Sequence, residues 1–119
     1  MERSRRFDEM ASDGFYISRM PFYAALYPRI RQAAFELGYA LPIHGSLTKD
    51  LDVVAVPWVA EAAPFEDLVR TIVETSGGVV QVMDAQHNDT THMPHGRMAV
   101  TILLSNGGYI DLSVMPRVL

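Results

Sequence analysis

The chain has 119 residues, of which 49% are hydrophobic, so it can bury one core and we expect a single domain over residues 1–119. It has no cysteine, which excludes disulfides and thiolate metal sites, and no apolar run that would span a bilayer or form a signal-peptide core. We therefore expect a cytoplasmic protein without membrane association. The net charge of −4 argues against broad contact with duplex nucleic acid, but not against a nucleotide, which needs only a local site.

The first helix is predicted between Pro21 and Leu37, where apolar residues recur every three or four positions. Residues 1–19 before it show no clean periodicity, and we interpret them as an N-terminal arm. Proline lacks the amide that an interior helical position donates, but it is favoured at a first helical position. Pro28 therefore predicts a short helical turn up to Leu26 and a main helix that begins at Pro28 and ends at Leu37.

The second helix has stronger signals at both of its ends. Pro64 opens it, Gly77 closes it, and the apolar side chains between them fall on one stripe. Glu66 and Asp67 lie near its N-terminal end, where the helix dipole favours negative charge. We expect this helix to pack against the same core as the first.

Five strands are predicted from runs of apolar and β-branched residues. They are Tyr39–Ile43, Leu51–Val56, Val79–Met83, Arg97–Leu104 and Tyr109–Met115. The last two form a hairpin around Asn106-Gly107, which favours a two-residue type I′ turn and would place Ile102 opposite Asp111. The order α-β-β-α-β-β-β predicts an α+β fold, with a mixed β-sheet and two main helices packed on one face.

The polar stretch from Asp84 to Pro94 is interpreted as a long loop. It contains His87 and His92, and His95 directly follows it. The spacing of these histidines matches neither a helical i, i+4 pair nor a familiar zinc module. We therefore favour a solvated loop over a zinc site.

The most informative motif is a Gly-Ser turn, Gly45 and Ser46, followed by Asp50 and Asp52. Alternate residues of a strand share a face, so the two acids project together, and Asp111 on the last strand can complete a set of three carboxylates. Such oxygens suit Mg²⁺ or Mn²⁺, which bridges nucleotide phosphates, while the amides of the turn can hold phosphate oxygens. The alternative is that Asp50 caps the turn and Asp52 is a solvated residue on a half-exposed strand.

Four further residues are candidates for contact with a ligand. His44 precedes the turn and is either a ligand contact or a hydrogen-bonded structural histidine. Lys49 lies in the connection between the turn and the acids, and Arg97 stands at a strand entrance where it can contact a phosphate. The predicted hairpin register, however, points Arg97 to the face opposite Asp111. Trp58 is a core residue or a base-stacking platform, and we favour the core.

These motifs together resemble the nucleotidyltransferase superfamily of the DNA polymerase β type. Its pattern is a hydrophobic residue, Gly-Ser, a spacer, Asp-x-Asp and a third acid on a later strand. The matching residues are Ile43 to Ser46, Asp50, Asp52 and Asp111. The resemblance implies a minimal nucleotidyltransferase-like fold and three catalytic acids: the first two hold metal ions, and the third assists in activating the attacking hydroxyl. It also implies transfer of a nucleoside monophosphate, with pyrophosphate leaving.

The connection between Gly-Ser and Asp-x-Asp is shorter than in that family. Only Leu47, Thr48 and Lys49 intervene, which is too few for the helix whose N-terminus normally receives the phosphates. We therefore expect weak nucleotide binding with slow or absent transfer by the isolated chain.

The chain also resembles a group of small phage-encoded proteins, over more of its length. The shared segments are His44–Ser46, Asp50–Asp52, Ala55–Trp58, Pro94–Arg97 and Tyr109–Pro116. This resemblance implies a location in the cytoplasm of a bacterial host, and no particular activity. It supports a second hypothesis, a catalytically inactive phage-type interaction protein that acts on a host component; the antitoxin of a toxin–antitoxin pair is a third. We expect a protein partner, because a chain of this length lacks the further domain with which polymerase-type transferases grip base and acceptor.

Overall fold

The computed structural model of the chain describes residues 19–81, 91–92 and 94–117. The predicted N-terminal arm and most of the predicted polar loop, including His87, lie outside these residues. Within the described part of the chain, neither helix has the length and apolar character needed to cross a membrane.

The first helix, α1, runs without interruption over Met20–Glu36 and contains Pro28 in its interior. The prediction of a separate turn before Pro28 was therefore wrong. The buried face of the helix consists of Tyr23, Leu26, Ile30 and Ala34. Because this face continues on both sides of the exposed proline, its packing offsets the roughly 3 kcal/mol that an interior proline costs.

The second helix, α2, spans Phe65–Ser76 and ends as predicted. Pro64 precedes it as the N-cap, and Gly77 closes it in the left-handed conformation with a φ of 75°. The two helices are joined by a hydrogen bond in which Arg29 Nη2 donates to the Thr75 carbonyl at 3.1 Å. The local signals were sufficient here because proline favours the start of a helix and glycine readily takes the left-handed conformation that ends one.

Six short strands form one mixed sheet, so the predicted α+β class with two main helices is confirmed. The strands are β1 (Tyr39–Ala40), β2 (Leu51–Pro57), β3 (Val79–Val80), β4 (Thr91–His92), β5 (Met98–Leu103) and β6 (Tyr109–Val114). Their order is β1-β2-β6-β5-β3, and β4 pairs with β5 as well. Strands β2 and β6 are parallel, while all the other pairs are antiparallel. The centre of the sheet is therefore the parallel pair that carries Asp52 and Asp111.

Strands β2, β5 and β6 differ from their predicted limits by one residue at one or both ends. The predicted strand Val79–Met83 is observed as β3 over Val79–Val80, and Val82 and Met83 lie outside the described residues.

The first strand and the polar loop differ more. Strand β1 stops at Ala40, since Pro42 has no amide to donate, and its pairing with β2 resumes only as a bridge between Ile43 and Val53. Thr91–His92, expected in the polar loop, instead pair with the half of β5 that β3 does not reach. This pairing satisfies backbone groups that an unpaired edge would leave open.

The β5–β6 hairpin has a loop of three residues rather than two. Gly107 ends the loop in the left-handed conformation, with a φ of 86°, and its amide donates to the Leu104 carbonyl at 3.1 Å. The predicted register was therefore wrong by one position. Thr101, and not Ile102, lies opposite Asp111.

One face of the sheet lies in the core. The buried residues of its longer strands are Leu51, Val53, Ala55, Val100, Ile102, Ile110, Leu112 and Val114. They form one cluster with the buried face of α1 and with Leu68 and Ile72 of α2, so both helices cover the same face, as predicted. The intervening residues, including Asp52 and Asp111, are half-buried on the opposite face.

Candidate metal centre

Three carboxylates meet on the sheet face opposite the helices. Asp50, Asp52 and Asp111 each offer one oxygen atom, and these atoms all lie within 4.8 Å of one another. The parallel register of β2 and β6 places Asp52 directly beside Asp111. Asp50 precedes Asp52 by two positions and therefore projects to the same side. The fold thus brings the three predicted acids together, and all three are half-buried.

A buried tyrosine of α1 holds the starts of the two acid-bearing strands together. The Tyr23 hydroxyl donates to the Lys49 carbonyl at 2.7 Å and accepts the Tyr109 amide at 3.2 Å. Lys49 directly precedes Asp50, and Tyr109 lies two residues before Asp111. Because the hydroxyl is both donor and acceptor in a buried position, it fixes the backbone on each side of the cluster.

Burial and the neighbouring acid raise the pKa values of Asp52 and Asp111. Burial, followed by a side-chain hydrogen bond with Asp50 and the charge of Asp50, raises the pKa of Asp111 from 3.8 to about 6. That hydrogen bond requires one carboxyl of the pair to be protonated. Burial and then the charge of Asp50 also raise the pKa of Asp52, whereas nearby His44 lowers it. The cluster therefore favours the uptake of positive charge, either a proton or a cation.

Thr101 lowers the pKa of Asp111, whereas burial and Asp50 raise it. Its hydroxyl donates to Asp111 Oδ1 at 3.2 Å, and this bond lowers the pKa of Asp111 because it stabilises the ionised form. The sequence prediction missed Thr101, since the predicted hairpin register placed Ile102 opposite the acid.

The Gly-Ser turn lies beside Asp52. The His44 amide donates to the Asp52 carbonyl at 2.6 Å, which closes the loop between β1 and β2. Gly45 has a φ of 109°, and a Cβ atom there would stand 3.8 Å from Asp52 Oδ2. Glycine at this position therefore leaves the approach to the carboxylate open. The Ser46 hydroxyl lies 2.8 Å from the Thr48 hydroxyl, and both side chains are exposed.

The two basic residues that were predicted to contact a ligand, Lys49 and Arg97, lie at different distances from the acids along the chain and the sheet. Lys49 is exposed and lies next to Asp50 in the chain. Arg97 precedes β5, and strand alternation continued by one residue puts it on the same side as Thr101, contrary to the predicted register. Four residues of extended chain separate Arg97 from Thr101, which corresponds to about 13 Å. The backbone of Arg97 is thus well removed from the acids.

Tyr109 is a half-buried member of the same surface that the sequence prediction missed. It lies two residues before Asp111 on β6, so both side chains project to one face. Burial, then the charges of Asp50, Asp111 and Asp52, raise the pKa of its phenol. The protonated hydroxyl is a hydrogen-bond donor at the edge of the cluster. Strand alternation from Asp111 was the signal that could have identified it.

The donor set fits a hard divalent cation. Around an octahedral Mg²⁺ ion with metal–oxygen distances of about 2.1 Å, adjacent ligand oxygens are about 3 Å apart and opposite ones about 4.2 Å apart. The three carboxylate oxygens already lie within 4.8 Å, so small side-chain rotations bring them into such a sphere. The three acids would leave the other positions of such an ion to water or to the oxygens of a ligand. Mg²⁺ and Mn²⁺ both suit this arrangement.

Comparisons of the chain with known protein families, with curated proteins and with solved structures gave no match. The chemistry of this site is therefore argued from its geometry and from the sequence motifs.

Proposed function

We propose that this chain is a nucleotidyltransferase-like protein that binds Mg²⁺ or Mn²⁺ at Asp50, Asp52 and Asp111, and through the cation the phosphates of a nucleoside triphosphate. The observation that carries this proposal is the set of three carboxylate oxygens within 4.8 Å on two neighbouring strands. The pKa of Asp111, raised to about 6, supports it, because burial and the neighbouring Asp50 disfavour its negative charge and a bound cation would offset both effects.

Each part of the proposed site has its own role. When bound, the cation supplies neutralisation of phosphate charge and polarisation of phosphoryl oxygens. Gly45 places no side chain of its own beside Asp52, and the neighbouring backbone amides can donate to phosphate. By the motif resemblance, Asp111 is proposed also to assist in activating the attacking hydroxyl.

We propose that the isolated chain binds a nucleotide but transfers its nucleoside monophosphate slowly or not at all. Residues 45 to 50 form no helix, so the phosphates do not meet the row of amides that a helix N-terminus provides. Phosphoryl transfer depends on such preorganised donors as well as on the cation, and their loss lowers the rate more than the ground-state affinity. Transfer, where it occurs, then requires a partner that supplies the missing contacts.

Thermal unfolding in millimolar MgCl₂ or MnCl₂, compared with NaCl at the same ionic strength, tests the cation site. A concentration ten times the Kd stabilises the fold by about 1.4 kcal/mol and raises Tm by roughly 3 to 6 °C. Asp52→Asn should remove this response and raise Tm without cation. Asp67→Asn on α2 is the matched control, since Asp67 pairs with Arg70 away from the cluster, and it should keep the response.

Calorimetric titration with ATP then tests the nucleotide, with and without Mg²⁺. Heat that appears only with the cation, and disappears in Asp52→Asn, supports the proposal. A wild-type Tm that is the same in MgCl₂, MnCl₂ and NaCl would overturn it and favour the catalytically inactive interaction protein or the antitoxin.

A further inference from the structure

A second surface with binding chemistry lies at the other end of β2. Trp58 follows this strand and is 52% exposed, so the expectation of a core tryptophan was wrong. Its indole stacks on Phe35 of α1, with ring centres 5.0 Å apart and an angle of 18° between the planes, and Phe35 is itself 51% exposed. Six residues of strand, or about 20 Å, separate Trp58 from Asp52, so this surface is distinct from the acid cluster.

The two rings line a groove of about 470 Å³ between the end of α1 and the segment that follows β2. We call it the Trp58 groove. Gln32, Glu36 and Glu61 supply its polar lining, and Leu37, Val59 and Ala63 are part of its apolar lining. Two large aromatic side chains that are half exposed in the same groove are typical of a binding surface.

The groove is held in shape by backbone hydrogen bonds. The Trp58 amide donates to the Gly38 carbonyl at 2.9 Å, and the Ala63 amide to the Leu37 carbonyl at 2.8 Å. The Tyr39 hydroxyl also donates to the Ala63 carbonyl, at 2.6 Å. Because hydrogen bonds hold both ends of the segment after β2, the site is preformed, and ligand binding costs little conformational entropy.

The charge of the groove is negative. Glu36 and Glu61 line it, and among the residues that the structure describes no lysine or arginine does. Neither carboxylate forms an ion pair with another residue of the described chain. Glu36 accepts a hydrogen bond from Gln32 at 3.1 Å, and Arg117 donates to the Ala62 carbonyl without lining the groove. An aromatic face flanked by two carboxylates attracts cations and repels phosphates.

We propose that the Trp58 groove binds an arginine or lysine side chain presented by a protein partner. The planar guanidinium of arginine stacks on an aromatic face while its N–H groups donate to Glu36 and Glu61, so arginine is favoured over lysine. The same charge disfavours a nucleobase, because a nucleotide would carry its phosphate towards the carboxylates. A second copy of this chain is disfavoured as well, since two such grooves facing each other would bring like charges together.

Trp58 is the only tryptophan of the chain, so its fluorescence reports on the groove alone. The probe is the capped peptide Gly-Arg-Gly-Arg-Gly, titrated at constant ionic strength, and its reference is the same peptide with neutral citrulline in place of arginine. We expect a saturable change in emission with the arginine peptide, at a Kd near or somewhat below 1 mM, and an affinity at least fivefold weaker for citrulline.

Substitutions that remove the charges of Glu36 and Glu61 test whether these carboxylates recognise the arginine peptide. Glu61→Gln and Glu36→Gln should each weaken binding of the arginine peptide by a factor of two or more, and the double variant by more than either alone. Within the described part of the chain the Glu61 side chain makes no hydrogen bond or ion pair that this substitution would remove. Glu66→Gln on α2, an exposed carboxylate outside the groove, is the matched control and should bind like the native chain. Circular dichroism verifies that each variant is folded.

Three results would overturn this proposal. Equal affinity for the arginine and citrulline peptides, or no saturation with either, would show that the carboxylates do not select a cation. Tighter saturation by AMP than by the arginine peptide would assign the groove to a nucleobase. Dimerisation in sedimentation experiments, together with a Trp58 emission that changes on dilution, would assign it to a second copy of the chain.

Discussion

Asp52 and Asp111 are direct neighbours on the parallel strands β2 and β6, and both project from the sheet face that the helices leave uncovered. Two carboxylates in this position repel each other, and Asp50 adds a third within the same 4.8 Å cluster. The fold therefore pays for this arrangement with stability, as proteins commonly do at functional sites. Because the repulsion lowers the stability of the fold, changes at the cluster can be measured by unfolding experiments.

The first prediction concerns pH. The pKa of Asp111 is about 6 in the folded chain and near 3.8 in the unfolded chain, so the folded state binds its proton more tightly. The stabilisation from this proton is fully present below about pH 4 and is lost as pH rises through 6. After allowance for solvent screening of a half-exposed group, we expect a contribution of about 1 kcal/mol. Urea unfolding of native and Asp111→Asn chains between pH 4 and 7.5 measures it.

The comparison of the two chains removes the titration of groups that do not interact with Asp111, and what remains is the titration of Asp111 together with its neighbours Asp50 and Asp52. The stability difference, native minus Asp111→Asn, should be most positive at low pH and should fall across pH 4 to 6. A difference that is flat with pH, or one that rises, would contradict the raised pKa.

Local signals in the sequence predicted much of the fold and the acid set. Pro64 and Gly77 fixed the ends of α2, and strand alternation placed Asp50 and Asp52 on one side. Each of these signals depends on residues close in the chain, where backbone preferences alone decide. The grouping of Asp111 with them needed long-range pairing, and the motif resemblance supplied that.

Other features depended on tertiary contacts that no local pattern encodes. The helix continues through Pro28 because packing on its buried face outweighs the proline penalty. The hairpin loop has three residues because Gly107, and not the Asn106-Gly107 pair, takes the left-handed conformation. Trp58 is half exposed, and the ring on which its indole stacks is Phe35 of α1, 23 positions earlier in the chain.

The second prediction tests the tyrosine bridge at the acid cluster. Tyr23→Phe removes the hydroxyl that joins Lys49 to Tyr109 and leaves a partly buried carbonyl and a partly buried amide without this partner. We expect a loss of about 1 to 3 kcal/mol in the free energy of unfolding. Because the same bonds position the starts of β2 and β6, the Tm increase produced by Mg²⁺ should also become smaller.

Tyr27→Phe is the matched control for this substitution. The Tyr27 hydroxyl donates to the Leu41 carbonyl at 2.7 Å, away from the acids. This variant should lose stability but keep the full response to Mg²⁺. Equal Mg²⁺ responses in both variants would show that Tyr23 supports the fold without positioning the acids.

The third prediction concerns Gly38, which lies between α1 and β1. It has a φ of 93°, and a Cβ atom there would stand 2.8 Å from the Ala62 Cα and 2.8 Å from Val59 Cγ2. Gly38→Ala should therefore destabilise the fold by about 2 to 4 kcal/mol, through strain and through displacement of the segment after β2. It should also change the emission of Trp58, since the Gly38 carbonyl accepts the Trp58 amide.

Gly77→Ala separates backbone strain from crowding. Gly77 also has a positive φ, 75°, but a Cβ atom there meets nothing within 4 Å. This variant should lose only about 1 kcal/mol and leave the emission of Trp58 unchanged. Equal losses for the two variants in urea unfolding would show that the contact with Ala62 relaxes without cost.

The last prediction separates a nucleotide-binding protein from an enzyme. With Mg²⁺ and labelled nucleoside triphosphates, the isolated chain should release pyrophosphate slowly or not at all, because the bend at residues 45 to 50 lacks a phosphate-binding helix. Calorimetry on the same sample should still detect Mg²⁺-dependent nucleotide binding. Only interactions that strengthen in the transition state accelerate the reaction. The absence of a phosphate-binding helix at residues 45 to 50 should therefore lower the rate of pyrophosphate release more than the affinity for the nucleotide. Rapid release by the isolated chain, abolished by Asp50→Asn and retained by Asp67→Asn, would contradict this prediction and show that the short turn suffices for transfer.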